Sequence, residues 1–507
     1  MTAVADALLT IDLGSTAIKT TLFDGEMRVL AAASREYQAR TLDSLRVEMD
    51  ARTYWDAFKA TVAEVVDKAG VAPAAIRALG WSSQSETLVV VGRDGSPLRP
   101  VIVWTDNRAG AESRELEAEF GPELIHRVTG QVSMVPTWPA PKILWLRRHE
   151  PALFRQAHKF LLLEDFFIHR LTGKYVCEGS LITSTTYWNF TSKRWWPEML
   201  QTLGISSEQL PEIMESGQPV GTILPEVAVE LGLSSSTVVC TGALDQAAGA
   251  IGVGSLAPGV FSESTGGCVG ICVPLPEPVW DSSRRMPCQY YALPDKYMAH
   301  TFTTGGLAFR WLRDTFGETE RTYARDTATD AYDLLTAQAE RVAAGSDGLI
   351  MLPHLQGAMA PDVNPQAKGV FFGFTTHHTK PHFTRAALES IAFVVRRNLE
   401  VIQDMGITVG TIRVLSGGAK SDVWNQIKAD VTGCIVERTA VTEASSLGAA
   451  LLAATAVGLL PSVAAGVEAR VQVTDRYEPN PVHKAIYDDT YARYCALQES
   501  LRDSFAL

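Results

Sequence analysis

In the stretch Leu8-Leu9-Thr10-Ile11-Asp12-Leu13-Gly14-Ser15-Thr16, an apolar run ends at an acidic residue and a turn of small polar residues. Alternating apolar positions from Ile18 to Phe23 follow it, and Asp24-Gly25 makes a second turn, so the segment predicts a β-hairpin. A similar unit recurs at 260–273, where an apolar run enters a small polar turn at Ser264–Gly267. One strand–turn–strand unit therefore opens each half of the chain.

Helical patterns alternate with short β-branched runs between these two units, for example at 78–81, 88–91 and 237–240. This alternation predicts an α/β fold rather than an all-β fold or a helical bundle. Glycine and proline are frequent between Gly252 and Gly259. We therefore predict two domains, 1–253 and 254–507.

The composition excludes several classes of protein. The 507 residues include 45 Lys+Arg and 57 Asp+Glu, a net charge of −12 that argues against a nucleic-acid partner or an anionic membrane surface. The apolar run at 447–460 is too short to span a bilayer, and no signal peptide is visible. The seven cysteines form no CxxC pair and are expected to be reduced and packed in the core. We expect a cytoplasmic protein.

The first turn carries the groups of a phosphate site. The Asp12 carboxylate can hold Mg²⁺ through water, Gly14 permits a tight turn, and Ser15 and Thr16 can meet phosphate oxygens. Lys19 adds a positive charge on the same hairpin. An ordinary polar hairpin is the alternative interpretation. No GxxxxGK[ST] motif occurs, so an ATP site here is not a P-loop.

Asp245 follows an apolar strand and begins a helix of small residues. An aspartate there can take the proton from a hydroxyl that attacks a γ-phosphate, and a helix N-cap is the alternative. Gln246 beside it is either a substrate contact or a solvated helix residue.

Polar groups at other strand ends suit a polyhydroxylated ligand, because they combine a carboxylate, an amide, hydroxyls and an indole. They are Gln84, Ser85, Glu86, Trp104 and Asp106. Polar loops are the alternative interpretation. Near the carboxyl end, Gly417-Gly418 joins an apolar run to a helix and would let a ligand approach the backbone.

Two longer segments complete a resemblance to a known family. Residues 142–149 are similar to the first signature of the FGGY carbohydrate kinases, and 369–389 resemble the second. The resemblance runs from Leu8 to Pro479. It implies two actin/hexokinase-like domains of the RNase H type flanking a catalytic cleft, in which ATP and Mg²⁺ phosphorylate a small-molecule sugar or polyol.

The resemblance also implies roles for single residues. Asp245 matches the catalytic base, Asp12 and Asp245 are the expected metal-site carboxylates, and Gln246 matches a substrate contact. The positions that match nucleotide-binding segments are Asp12, Ser15, Thr16, Lys19, Thr265, Gly266, Gly306, Arg310, Gly418 and Asp422.

The substrate is less well determined. Gln84-Ser85-Glu86-Thr87 shares three positions with the Gln-Arg-Glu-Thr of glycerol kinases and one with the Gln-Met-His-Gly of xylulokinases, and Thr137 or Trp138 aligns with a glycerol kinase tyrosine. The 129–151 block looks more like xylulokinase. We expect a ketopentose such as xylulose, with a glycerol- or tetritol-type kinase as the alternative and an inactive nucleotide-binding sensor as a third reading. The stereochemistry and the phosphorylated hydroxyl stay open, as does a homodimer, which is common in the family.

Three histidines, His377, His378 and His382, fall in the variable spacer of the second signature. They could suggest a metal site, but we interpret the segment as a surface loop.

Overall fold

The computed structural model describes residues 6–506 and contains a large sheet in each half of the chain. The strands of the first half are β1 (Ala7–Leu13), β2 (Ala17–Asp24), β3 (Val29–Glu36), β4 (Arg40–Thr41), β5 (Val47–Met49), β6 (Ile76–Ser83), β7 (Val89–Val91), β8 (Val101–Ile102), β9 (Lys159–Leu161), β10 (Val176–Glu178), β11 (Trp188–Asn189), β12 (Arg194–Trp195), β13 (Glu212–Met214), β14 (Pro219–Thr222), β15 (Val238–Cys240) and β16 (Ala243–Leu244). Its helices are α1 (Ala51–Ala69), α2 (Gly110–Phe120), α3 (Pro122–Thr129), α4 (Pro139–His149), α5 (Pro151–Gln156), α6 (Leu163–Thr172), α7 (Gly179–Ile182), α8 (Pro197–Leu203), α9 (Pro225–Leu231) and α10 (Asp245–Gly252).

The second half has the same mixture of elements. Its strands are β17 (Gly259–Thr265), β18 (Cys268–Leu275), β19 (Cys288–Tyr290), β20 (Tyr297–Thr304), β21 (Ile350–Pro353), β22 (Gly369–Phe372), β23 (Val409–Leu415), β24 (Ile435–Thr439) and β25 (Val473–Tyr477). Its helices are α11 (Leu307–Phe316), α12 (Glu318–Thr327), α13 (Ala331–Glu340), α14 (Lys380–Asp404), α15 (Asp422–Thr432), α16 (Ala444–Ala456), α17 (Val463–Arg470) and α18 (Pro481–Ser500).

The two sheets repeat one topology. The first has the order β14-β15-β6-β1-β2-β3, with β16 also paired to β6, and the second has the order β25-β24-β23-β17-β18-β20-β19. In each sheet the central strand is antiparallel to its hairpin partner and parallel to the strand on its other side. The α/β class and both predicted hairpins are therefore confirmed.

Aromatic packing attaches α1 to the first sheet. Asp50 caps the helix by accepting the backbone N–H of Arg52, and Gly70 ends it in the left-handed conformation. The ring of Phe58 lies 6.0 Å from that of Trp81 in β6 and 5.5 Å from that of Phe167 in α6. These buried rings support the strand that leads to residues 82–87.

Helices α10 and α16 cross at backbone contact distance. A Cβ atom added to Gly252 would lie 1.9 Å from the carbonyl oxygen of Ala444, and one added to Gly448 would lie 1.9 Å from that of Ala248. Helix α16 also packs on the first sheet, because a Cβ at Gly80 would lie 2.8 Å from the Ala449 oxygen. Helix α16 of the second half therefore packs against both α10 and the first sheet. The boundary after residue 253 falls in the link between α10 and β17 and stays a prediction.

Within residues 6–506, no helix combines the length and the apolar character needed to cross a membrane. The cysteines are free thiols. Five are buried and Cys495 is half-buried, as expected for packing residues, but Cys268 is exposed beside the second small polar turn. For Cys268 the packing prediction is wrong, because β18 begins at the surface of that turn.

Candidate active site

The carboxyl ends of three parallel strands meet at one edge of the first sheet. Asp12 of β1 lies opposite Ser82 of β6, and the Ser82 hydroxyl donates a 3.0 Å hydrogen bond to Asp12 Oδ1. Strand β16 pairs Leu244 with Ser83, so Asp245 begins α10 at the same edge. The fold therefore brings the two predicted carboxylates, Asp12 and Asp245, together.

The pKa values of both aspartates are raised. Burial, and next the charge of Asp12, raise the pKa of Asp245 to about 7, although the backbone N–H of Gln246 donates to its carboxylate at 2.7 Å. Burial also raises the pKa of Asp12 to about 6, against the hydrogen bond from Ser82 and the charge of Lys19. The charge of Glu443 adds to the rise at Asp12. Two neighbouring oxygen-donor carboxylates of this kind suit a shared divalent cation, and Mg²⁺ prefers such ligands.

The first phosphate turn depends on Gly14. The Gly14 N–H donates to the Ala17 carbonyl at 3.1 Å, and a Cβ at Gly14 would lie 2.8 Å from that oxygen. Thr16 is exposed at the tip of the turn. Lys19, the cross-strand neighbour of Asp12, forms an ion pair with Glu443, which immediately precedes α16. The lysine is thus neutralised by the second half of the chain.

The second phosphate turn is supported from below by a buried ion pair. Lys428 Nζ lies 2.6 Å from a Glu263 carboxylate oxygen, and both side chains are completely buried. The Thr265 hydroxyl donates to Glu263 and lies 3.3 Å from Lys428 Nζ. Because this hydroxyl is committed to the ion pair, Thr265 can offer only its backbone to a phosphate.

Three glycines predicted for nucleotide binding converge on this turn. A Cβ at Gly306 would lie 2.2 Å from the carbonyl oxygen of Gly266, and one at Gly418 would lie 2.6 Å from Cβ of Thr265. Gly306 is therefore required by the close approach of the Gly266 backbone, and Gly418 by the close approach of Thr265. The turns at Gly266, Gly306 and Gly418 form one contiguous surface.

Two other predicted nucleotide residues lie farther out. Arg310 is exposed on α11, one turn after Gly306. Asp422 is exposed at the start of α15, where its carboxylate accepts from the Tyr477 hydroxyl at 2.7 Å and pairs with Arg438 at 2.8 Å. Neither contacts the carboxylate cluster, and their nucleotide roles stay predictions.

Gln84 and Ser85 form the buried part of the predicted sugar loop. The Gln84 amide donates to the Gly14 carbonyl at 2.9 Å and accepts from the Thr87 hydroxyl at 3.1 Å. The Ser85 hydroxyl donates to the Leu181 carbonyl at 2.7 Å. Both side chains are buried, so they tie the sugar loop to the phosphate turn and to α7.

Glu86 is the partly exposed residue of this loop. Its backbone has a left-handed φ of 57°, and its carbonyl oxygen accepts a 3.0 Å hydrogen bond from Lys142 Nζ. Burial raises the pKa of Glu86, and the Glu86 charge in turn raises the pKa of Asp245. Glu86 therefore lies within electrostatic range of the candidate base.

The structure does not bring Asp106 to the site. Its side chain is fully buried, accepts from the Val47 N–H at 2.6 Å and forms an ion pair with Arg108 at 2.8 Å. A carboxylate with these contacts supports the loop from within, so its prediction as a sugar ligand is not retained. Trp104, by contrast, is 37% exposed, and its indole N–H donates to the Ser15 hydroxyl at 2.7 Å.

The remaining sugar candidates have mixed positions. Thr137 and Trp138 are half-buried before α4, where the Trp138 indole donates to the Ser133 carbonyl at 3.3 Å. The Gln246 carboxamide oxygen lies over β18 of the second half, because a Cβ at Gly270 would meet it at 2.3 Å. These three roles stay predictions.

Several supporting residues escaped the sequence analysis. The Glu164 carboxylate accepts from the Gly242 N–H at 2.8 Å, and the Ser180 hydroxyl accepts from the Leu244 N–H at 2.9 Å. These bonds fix the backbone that leads into Asp245. Like Ser82 and Glu443, they reach the site through tertiary pairing, and nothing in their local sequence indicates it.

Both halves of the chain match models of one protein family. Residues 7–252 match the model of the N-terminal domain of the FGGY family of carbohydrate kinases, and residues 260–457 match that of its C-terminal domain.

The chain is also similar to proteins of known name over nearly its whole length. It is 29% identical to a xylulose kinase of Staphylococcus epidermidis, covering 98% of both chains. It is 30% identical to a gluconokinase of Bacillus subtilis (93% of this chain, 91% of the other) and 29% identical to an autoinducer-2 kinase of Yersinia enterocolitica (96% and 93%).

Solved structures share the two-domain architecture. Those of a gluconate kinase and a ligand-bound xylulose kinase, both from Lactobacillus acidophilus, each superpose with a TM-score of 0.90 at 28% identity and cover 99% of both chains. The predicted actin/hexokinase-like fold is therefore confirmed.

Proposed function

We propose a substrate and a catalytic base for this chain, which belongs to the FGGY family of carbohydrate kinases and is an ATP-dependent sugar kinase. The substrate is a ketopentose such as xylulose, the donor is Mg·ATP, and the base is Asp245. The observation that carries the proposal is the position of Asp245, a partly exposed carboxylate with a pKa of about 7 beside Asp12 and within range of Glu86.

The reaction needs a base that is ready at neutral pH. The Asp245 carboxylate accepts the proton of the sugar hydroxyl while that oxygen bonds to the γ-phosphorus and the bond to the ADP oxygen breaks. A pKa near the working pH balances the fraction of ionised carboxylate against its strength as a base. Glu164 and Ser180 keep this carboxylate in place through the backbone of residues 242–244.

The charges around the phosphates are supplied by both halves of the chain. Asp12 and Asp245 would hold Mg²⁺, which when bound with ATP neutralises phosphate charge. Lys19 exchanges its Glu443 partner for a phosphate oxygen, and the backbone of Ser15 and Thr16 offers N–H donors to the phosphates. The N–H groups of Gly14 and Gly266 are paired within their turns, so these glycines contribute close approach rather than donors. Of the proposed domains, 1–253 carries the sugar loop and Asp245, and 254–507 carries most of the nucleotide-binding surface.

The electrostatics of the sugar loop favour a neutral substrate. Glu86 adds a third carboxylate beside Asp12 and Asp245, and the carboxylate of gluconate would be repelled there. A neutral ketopentose meets the same groups as hydrogen-bond acceptors. Similarity of residues 129–151 to xylulokinases supports the same choice, whereas the whole chain is equally similar to a xylulose kinase and a gluconokinase.

A glycerol- or tetritol-type kinase is the second candidate, because Gln84 and Glu86-Thr87 match the glycerol kinase loop. A catalytically inactive nucleotide sensor is disfavoured, since Asp12 and Asp245 are both present.

The deciding experiment measures ADP release with Mg·ATP against ketopentoses, deoxyhexuloses, tetritols, pentitols, glycerol and gluconate. We expect one ketopentose to give the highest kcat/KM and D245N to lower its kcat about 10²–10⁴-fold. A preference for glycerol or a tetritol would favour the second candidate, and a preference for gluconate would contradict the charge argument. ATP binding with no turnover on any acceptor would support the sensor.

A further inference from the structure

We propose that Asp347, His377 and His382 form a binding site for a divalent transition-metal ion of the zinc type. The three residues lie on a short turn, a loop and the first turn of a helix in the second half, away from the carboxylate cluster at Asp12 and Asp245. Asp347 belongs to a short turn at 346–348 before β21, and His377 and His382 flank the start of α14.

The three ligand atoms have the spacing of a metal site. Asp347 Oδ2 lies 3.2 Å from Nε2 of His382 and 3.4 Å from Nε2 of His377, and all three atoms lie within 4.8 Å of one another. A tetrahedral ion with bonds of about 2.0–2.2 Å places neighbouring ligand atoms about 3.3–3.6 Å apart. The two measured distances are therefore close to the edges of such a tetrahedron.

The ring of His382 is held in a suitable orientation. Its Nδ1 lies 3.0 Å from the Thr379 hydroxyl oxygen and 3.1 Å from the Thr379 backbone nitrogen. The Thr379 backbone N–H donates to Nδ1, so the metal-free ring carries its proton on Nε2 and donates it to Asp347. A metal ion at Nε2 would move that proton to Nδ1, where the Thr379 hydroxyl oxygen is the acceptor within reach. Metal-binding histidines usually have such an oxygen partner on the second ring nitrogen. His382 is only 13% exposed on its side chain, so it differs from the surface residue expected from the sequence.

The turn that carries Asp347 is fixed from beneath. The buried Glu389 carboxylate accepts from the Gly345 N–H at 3.0 Å and from the Ser346 hydroxyl at 2.8 Å. Arg385 donates to the same carboxylate at 2.8 Å. Asp347 therefore keeps its position without a metal, which reduces the cost of assembling the site. A bound ion would join this turn to the start of α14.

The donor set selects the ion. Two imidazole nitrogens favour Zn²⁺, Ni²⁺ or Cu²⁺, whereas Mg²⁺ prefers oxygen ligands. The His377 side chain is 70% exposed, so the ion has an open entry path and water can fill a fourth position.

The test is calorimetric titration of the tag-free protein with ZnCl₂, with excess Mg²⁺ present to fill oxygen-only sites. We expect one zinc ion per chain and the absorption of tetrahedral Co²⁺ when cobalt replaces zinc. D347N and the double variant H377A/H382A should lose this binding. H378A is the matched control, because His378 lies in the same loop outside the ligand set. T379V should weaken zinc binding about 10–100-fold, and T379S should restore it.

Thermal unfolding gives a second readout, independent of catalysis. Zinc should raise the Tm of the wild type and H378A but not of H377A/H382A or D347N. Absence of saturable zinc binding by the wild type would overturn the site. An equal loss in H378A would overturn the assigned ligands, and intact binding in both D347N and H377A/H382A would do the same.

Discussion

The ammonium group of Lys142 lies 3.0 Å from the carbonyl oxygen of Glu86, at the end of a completely buried side chain. It also donates to the Val103 carbonyl at 3.1 Å. Burial lowers the pKa of Lys142 to about 7, a penalty that the nearby Glu86 charge opposes. Lys142 therefore holds the left-handed backbone of the sugar loop from inside the protein.

Replacing Lys142 by Met should release the Glu86 backbone while keeping the length of the side chain. We expect the KM for the sugar to rise by about 10–100-fold, because small misplacements of substrate-positioning groups have effects of this size. The KM for ATP should change little. K68M, at an exposed lysine of α1, is the control. A folded K142M protein with an unchanged sugar KM would contradict the positioning role.

Replacing Asp245 by Asn should lower kcat about 10²–10⁴-fold, because the amide cannot accept the hydroxyl proton. Calorimetry should show that ATP still binds. D489N removes an exposed carboxylate on α18 and should leave kcat unchanged. Normal turnover by D245N would remove Asp245 from the mechanism.

Opposite effects are expected from the two partners of the Lys19–Glu443 ion pair. Lys19→Met should raise the KM for ATP about 10-fold or more, since a charged contact to phosphate is lost. Glu443→Gln should lower it, because Lys19 no longer has to leave a carboxylate. Steady-state kinetics with varied ATP decide this, and a change in the same direction in both variants would refute the exchange.

The exposed Cys268 reports on the second phosphate turn, because its carbonyl oxygen accepts from the Gly266 N–H at 2.9 Å. A maleimide should label the thiol, and saturating Mg·ATP should slow the labelling by covering the turn. C268S should remove the labelled site, as mass spectrometry can verify. Equal labelling rates with and without ATP would place the nucleotide elsewhere.

Acid should destabilise the protein through His300. Its ring is buried and donates through Nδ1 to the Ile271 carbonyl at 2.7 Å, and burial lowers its pKa to about 4. The unfolded chain takes up the proton first, so stability present above pH 6.5 is lost as the pH falls towards 4. The full loss is about 3 kcal/mol.

Urea unfolding across this pH range should show that H300Q loses less free energy of unfolding than the wild type, because the contribution of His300 is absent. H149Q, at an exposed histidine, should keep it. An identical pH slope for H300Q and the wild type would show that other groups cause the effect.

Local patterns were sufficient for the two hairpins and for the position of Asp245 at the start of a helix, because alternation along a strand and small residues in a turn act over a few residues. The pairing of Asp12 with Ser82 depends instead on the register between β1 and β6. No local signal sets that register, since the two strands lie far apart in the chain.

For Asp106, the sequence predicted a ligand contact where the structure buries the side chain. Its sequence context is that of a polar strand end, yet Arg108 and the Val47 N–H bind its carboxylate inside the protein. A polar residue in a loop can face either the ligand or the core, and only tertiary structure decides between them. The hydroxyl of Thr265 is likewise held by a partner that the local sequence does not indicate, Lys428 of α15, while its nucleotide role stays a prediction.

The glycine contacts between α10 and α16 have a mechanical consequence. Since Gly252 and Gly448 each meet a backbone oxygen, no side chain fills the crossing point. Turning one helix about that point leaves its contacts nearly intact, whereas sliding it would drive neighbouring side chains into backbone. The crossing resists translation more than rotation, as a pivot does. Asp245 begins one of these two helices and Glu443 immediately precedes the other. A small rotation at the crossing would therefore change the distance between Asp245 and Glu443, the ion-pair partner of Lys19.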